Sequence, residues 1–177
     1  MIIYEFGGIF LTESLAIWFT EKLGGAFSRE IIVLIISLLP VLELRGGILA
    51  GYAMGMELLP NFLISFIGNI LPVPFILIFI QKIFNIIKKT RFKNAAFYFE
   101  NKAMSKRKLV DKYAYLGVLI FVAVPLPGTG AWTGALIASM LRMDTRKSFA
   151  FISIGVFIAG IIISFISYGM LKAIGIG

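Results

Sequence analysis

The chain has 177 residues, a formal net charge of +8 and 59% apolar residues. Its mean hydropathy is +0.96, whereas an ordinary soluble domain is only about 45–50% apolar. The absence of cysteine and histidine excludes a disulfide framework, zinc sites built on those residues, a histidine general base and nucleophiles of the Ser-His-Asp or Cys-His kind. No metal or cofactor is expected.

The apolar residues fall in long runs parted by short charged stretches, which is the pattern of an integral membrane protein. A single membrane domain, residues 1–177, is expected at this length. Residues 9–23 read as an amphipathic helix within an N-terminal segment 1–25. Glu13, Glu21 and Lys22 argue against a deep span there, and Gly24-Gly25 ends the helix. With no basic n-region, and with Glu5, Glu13 and Glu21 along it, this start does not read as a signal peptide.

Residues 26–87 form a first unit. The apolar run 31–39 meets Pro40, then Glu43, Arg45, Gly46 and Gly47, and a second short run, 48–56, comes next. A crossing needs about 20 apolar residues at about 1.5 Å each, so neither run spans alone. A helix–break–helix hairpin entering and leaving on one side fits better, since non-helical backbone at membrane depth must be buried in protein or line a wet cavity. Residues 61–81 are long enough to cross, with a kink expected at Asn69, Pro72 and Pro74.

Residues 88–112 are a basic segment. Lys88, Lys89, Arg91, Lys93, Lys102, Lys106, Arg107, Lys108 and Lys112 face only Glu100 and Asp111 in charge. On a soluble protein this would suggest nucleic acid. Between hydrophobic spans it reads as a cytoplasmic loop beside anionic lipid, and no nucleic-acid partner is expected.

Residues 113–177 repeat the first unit: an apolar run 113–124, a break at Pro125-Leu126-Pro127-Gly128-Thr129-Gly130, a short run 132–141, a return to water at Arg142, Asp144, Arg146 and Lys147, and a last span 148–172. A gapless shift of 87 places Leu39-Pro40 on Leu126-Pro127, Gly47 on Gly134, Met56 on Met143, Phe62 on Phe149 and Ile67-Gly68 on Ile154-Gly155. Basic residues flank the second hairpin on both sides, which puts its ends in the cytoplasm. Glu30 and Glu57 flank the first, which therefore opens outward. The expected fold is all-α: two inverted repeats, each a re-entrant helical hairpin plus a transmembrane helix, multi-pass in the inner (plasma) membrane. This is a transporter plan in which broken helices meet near the midplane.

Each hairpin's second half-helix begins just past its break, with unsatisfied N–H groups and a positive dipole end. Two such ends facing each other would hold an anion such as a phosphate or carboxylate. Gly46, Gly47, Gly128 and Gly130 would let a ligand approach the backbone, and Thr129, Thr133 and the Trp132 N–H would add donors. Glu43 and Arg45 are charges inside a hydrophobic segment, where charge is costly and usually functional. Arg45 suits a phosphate because its fork is planar and always charged. Glu43 is a candidate proton carrier, since burial favours its neutral form and a neighbouring guanidinium its charged form. The structural alternative is that both merely pair with each other or with backbone and hold the hairpin. Gly51, Gly55, Gly68 and Gly155 read as packing glycines.

The segments LLPVLELRGGILAGYAMGM and VAVPLPGTGAWTGALIASMLRM resemble the small multi-drug export protein family, a compact relative of the DedA/VTT superfamily of membrane proteins. The resemblance covers roughly residues 25–172 and rests on E-L-R-G after a proline together with P-x-P-G-T-G. It implies paired re-entrant hairpins in inverted repeat and movement of lipids across bilayers, including polyprenyl-phosphate carriers. On that resemblance Glu43 and Arg45 match the acidic and basic residues of the first hairpin, and Pro125, Pro127 and Gly128 match the second break. Typical DedA proteins carry arginines in the second hairpin, where this chain is uncharged until Arg142; Arg142 and Arg146 are the stand-ins.

The expected function is a transporter or flippase for an anionic, phosphate-headed lipid, with possible proton or sodium coupling and a possible homodimer. The alternative is proton-coupled efflux of cationic amphipathic compounds at Glu43, for which carboxylate and aromatic faces are the usual tools; Arg45 and the helix ends would repel such a cargo. A membrane enzyme acting on lipid phosphates would lack both histidine and an acidic cluster. A scaffold would leave two costly breaks unexplained.

Overall fold

The computed structural model describes residues 27–87, 113–126 and 128–170. The N-terminal amphipathic helix and the basic loop expected from the sequence lie outside these residues. The described chain is helical throughout, with no strand: α1 (Arg29–Leu38), α2 (Glu43–Ala53), α3 (Leu58–Ile70), α4 (Val73–Ile87), α5 (Tyr115–Ala123), α6 (Ala131–Met140) and α7 (Thr145–Ser164), which runs on as a π-helical end, Phe165–Met170.

Two stretches are long and apolar enough to cross a membrane: Leu58–Ile80, of 23 residues, and Thr145–Gly169, of 25. Only 28% and 33% of their most apolar windows are buried within the molecule, whereas the core helix of a soluble protein would be mostly covered. What they expose is Leu63, Ile67, Phe75, Phe79, Ile154, Phe157, Ile161 and Phe165, a surface suited to lipid. The first span is interrupted between α3 and α4 at Leu71 and Pro72. Pro72 and Pro74 have no N–H to give to the preceding turn, and Ile76 N–H resumes the ladder on Pro72 O at 3.0 Å. The interruption falls where a kink was expected.

The short helices α1 and α2 pack on each other and on α3, while α5 and α6 pack on α7 and α6 also meets α4. Helix α7 is central, touching α2, α3, α4, α5 and α6. The main core gathers Leu44, Ile48, Val118, Val122, Ala131, Ala135, Ile152 and Val156 at this junction. Gly68 and Gly155, a shift of 87 apart, take equivalent parts. A Cβ on the first would stand 3.0 Å from Leu34 O, and on the second 2.9 Å from Leu119 O, so both let a candidate membrane helix lie close against a short helix of its own half.

The shift also carries backbone hydrogen bonds. Helix α2 closes with Met54 N–H on Ala50 O, Gly55 N–H on Tyr52 O and Met56 N–H on Gly51 O; α6 closes with Leu141 N–H on Ile137 O, Arg142 N–H on Ser139 O and Met143 N–H on Ala138 O. Each bond of the second set is the first moved by 87. The pattern is a C-terminal cap with a left-handed residue just past the helix. Gly55 fills that place at φ 71 and Arg142 at φ 52. Gly55, read from the sequence as a packing glycine, is therefore a turn glycine, with only the Arg29 guanidinium within 4 Å of a built Cβ.

Candidate functional site

Pro40 ends the first apolar run, and the chain enters α2 through Glu43. Its N–H donates to Leu39 O at 2.9 Å, and its φ is 51, a conformation that costs a non-glycine residue about 1–3 kcal/mol. The side chain is only 6% exposed. Its two carboxylate oxygens accept from the first N–H groups of α6: Oε2 from Ala131 N at 3.3 Å and Oε1 from Trp132 N at 3.2 Å. These donors have no partner inside their own helix, and they form its positive end.

Arg45 reaches the same break from the other side. Its guanidinium donates to Leu126 O and Thr129 O, and to Thr129 Oγ1 at 2.9 Å. The Thr129 hydroxyl lies 2.7 Å from Val124 O and 2.8 Å from Leu126 O and accepts from Leu126 N–H at 3.2 Å, so it folds break two into a turn whose carbonyls converge on the guanidinium. Residues two apart on a regular helix face different ways. The left-handed turn at Glu43 takes it out of phase with Arg45 and lets both reach one break. The carboxylate meets N–H dipoles and the guanidinium meets C=O dipoles, so each charge has its complement on the opposite half of the chain.

Gly130 is the residue that admits Glu43. Its φ is 150, and a Cβ built on it would stand 2.6 Å from Glu43 Cδ. Around this contact lies a small cavity with room for about one water molecule, lined by Glu43, Leu44, Arg45, Asn69, Gly130 and Ala131, with Val122, Val156 and Ala159 completing the wall. Three residue pairs in that lining, Glu43 and Gly130, Leu44 and Ala131, and Asn69 and Val156, are related by the shift of 87. The polar side chains, Glu43, Arg45 and Asn69, all come from the first half, and the second half contributes only small or apolar residues.

Asn69 is 3% exposed and its Oδ1 has no hydrogen-bond partner. The indole Nε1 of Trp132 is likewise buried without one. Such orphaned polar atoms are uncommon in folded proteins and call for an explanation. From sequence, Asn69 stands between helix packing and ligand contact. Its signal is a carboxamide in the middle of an apolar span. The carbonyls of Leu126 and Thr129 escape sequence reasoning, because a backbone acceptor has no residue-type signature.

The other candidates separate. Gly46 is buried, with Leu42 Cβ 2.8 Å and Ile36 Cγ2 3.2 Å from a built Cβ, and a Cβ built on Gly47 would stand 2.8 Å from Ser65 Oγ; both turn toward helices of their own half. Gly128, at φ 81, has open space around it. Thr133 is half-buried on α6. Arg142 lies beyond the far end of α6 and is exposed, about 15 Å from the helix N-terminus by helix rise, and does not join the cluster. Pro127 lies outside the described residues. Among the described residues no group of acidic or metal-ligating side chains could hold a metal ion.

A family model described as "Putative small multi-drug export protein" matches residues 43–162, more than half of the chain and both sides of this site. No curated protein and no solved structure matches.

Proposed function

From the premise that this chain belongs to the small multi-drug export protein family, we propose that it is a multi-pass membrane transporter for amphipathic molecules with an anionic, phosphate-class headgroup. The observation that carries this reading is the α6 N-terminus. Its first N–H groups already hold a carboxylate at 3.2 and 3.3 Å, beside a guanidinium, inside an apolar shell. Helix ends of this kind bind phosphate by the same donors and dipole.

The two halves act as inverted repeats, each a re-entrant hairpin with a crossing helix, and rocking of one against the other exposes the site to alternate sides. The shifted hydrogen bonds of α2 and α6, and a cavity lined by shift-related pairs, favour a pseudo-twofold axis at the cavity. The basic segment 88–112 faces the cytoplasm by the positive-inside rule. Lipid-exposed Leu, Ile and Phe side chains on the spans leave a hydrophobic tail free to remain in the bilayer while its headgroup passes.

The test is transbilayer movement in vesicles of a labelled polyprenyl phosphate against a neutral lipid and a cationic dye, with and without a proton or sodium gradient. Selective movement of the phosphate lipid, lost in Arg45→Ala, is the expected result. Unchanged movement in Arg45→Ala would remove Arg45 and break two from the mechanism.

A second reading has its own observation: Glu43 is the buried acidic residue among those described, and the family is described by multi-drug export. On that reading Glu43 exchanges a cationic compound for a proton. Dye movement lost in Glu43→Gln but kept in Arg45→Ala would favour it. The nearby guanidinium and the positive helix end weigh against it.

A further inference from the structure

We infer that Glu43 is a tethered counter-anion: its carboxylate occupies the seat that a phosphate-class anion takes, on the N–H groups of Ala131 and Trp132 and beside the Asn69 amide, whose oxygen is unpartnered, and the two occupancies exclude each other. This rests on the reading that the cargo is anionic and adds that the resting protein blocks its own site.

Four observations converge. Both carboxylate oxygens of Glu43 are spent on the first donors of a ten-residue helix, the groups that an incoming oxyanion would need. The cavity beside them admits only a water-sized guest, so no phosphate fits while the carboxylate stays. The Asn69 amide, 3% exposed, lines the same cavity with its oxygen unpartnered. A carboxamide turned about its last bond presents two N–H donors in place of that oxygen, and an anion in the seat would receive them. Glu43 itself sits at φ 51, a strained backbone conformation of the kind found at ligand clamps and switches.

Electrostatics makes the exclusion strict. Two anions sharing one helix end in a low-dielectric interior repel strongly, and Arg45 supplies a single compensating charge. The Arg45 fork keeps its carbonyl partners whichever anion is present, because its contacts are to Leu126 and Thr129 rather than to the seat. The competing role for Glu43 is a permanent helix cap that never leaves.

The two roles differ in how the protein responds to loss of the carboxylate. Full-length protein in detergent is melted at constant ionic strength while formate, acetate or inorganic phosphate replaces chloride, for wild type, Glu43→Gly and Glu43→Gln. Glycine accepts the backbone conformation at 43 without penalty, so Glu43→Gly removes the carboxylate and adds no strain. Glu43→Gly is expected to melt below wild type and to rise by several degrees, saturably, with formate or phosphate. Wild type is expected to stay put. A ligand that binds only the folded state produces such a shift by mass action. Adding Asn69→Ala is expected to weaken the phosphate response several-fold. A folded Glu43→Gly that is indifferent to every anion overturns the proposal.

Should Glu43→Gly fail to yield folded protein, Glu43→Gln decides. It keeps the side-chain volume and loses the charge, and its melt is expected to rise with phosphate where that of wild type does not. A Glu43→Gln melt as indifferent to phosphate as that of wild type overturns the seat. Vesicle transport separates this inference from the one it rests on. Anion-rescued Glu43→Gly with no phosphate-lipid movement by wild type would sink the transport reading and keep the seat. Wild-type movement with no anion response in either variant would sink the seat alone.

Discussion

Glu43 and Gly130 occupy equivalent positions 87 residues apart, and they stand against each other, with a built Gly130 Cβ only 2.6 Å from Glu43 Cδ. One half provides a carboxylate and the other, at the same place, the absence of a side chain. Any substitution at one therefore reports on the other.

Gly130→Ala is expected to be strongly destabilising. At φ 150 and ψ −171 the backbone lies in a region essentially reserved for glycine, at a cost of about 1–3 kcal/mol, and the new methyl also displaces the carboxylate. Combining it with Glu43→Gly removes the clash and leaves the backbone penalty. The double variant should thus melt above the sum of the two single losses, a coupling measurable by a double-mutant cycle on thermal unfolding. Strict additivity would mean that the contact carries no energy.

Arg45→Lys is expected to behave nearly as badly as Arg45→Ala. The fork reaches Leu126 O, Thr129 O and Thr129 Oγ1 together, whereas an ammonium is a point charge without that planar spread. Hydrogen bonds to charged groups contribute about 1.5–3 kcal/mol, so losing part of the set should lower the melting temperature by several degrees. Thr129→Val should cost about 1–3 kcal/mol, because it removes one guanidinium contact and also the hydroxyl that ties the turn together at Val124 and Leu126. A wild-type melt for Arg45→Lys would show that charge alone suffices.

Arg142→Gly is expected to melt above Arg142→Ala, which removes the same side chain and keeps a Cβ on the left-handed backbone. Arg142 caps α6 at φ 52 where the first half uses Gly55 at φ 71, and relief of the left-handed backbone is favourable by about 1 kcal/mol. Transport should be retained, since the residue lies at the opposite end of α6 from the candidate site. Loss of phosphate-lipid movement without loss of stability would return Arg142 to the set of ligand-binding residues.

Tyr168→Phe probes the π-helical end. The Tyr168 hydroxyl donates to Met56 O at 2.9 Å and accepts from Asn61 Nδ2 at 2.8 Å, while the same amide also donates to Ile48 O at 2.8 Å. Removing the hydroxyl leaves Met56 O without this donor, at a cost of about 1–3 kcal/mol. Proteolysis or hydrogen exchange should show loosening around residues 165–170 before the rest of the molecule. Uniform protection would place the strength of that end in the Tyr52–Tyr168 ring contact instead.

What the sequence determined by itself is the arithmetic of length and pattern. Apolar runs too short to cross, prolines and glycines between them, and two runs long enough to span yield short helices, breaks and candidate membrane helices, because rise per residue and the missing proline N–H act locally. The shift of 87 was readable for the same reason, since identities at Pro, Gly and Met positions need no contact to be seen. Only the tertiary structure decided where the charges go. Glu43 and Arg45 read as ligands, or as residues paired with each other or with backbone, and the packing makes each bond to backbone of the other half, 81 to 89 positions away. Arg142 read as a site residue and lies instead at a helix cap. Backbone carbonyls and N–H groups look alike at every position in a sequence. Which of them are left unpaired at a break, and which side chain reaches them, depends on how the two halves pack.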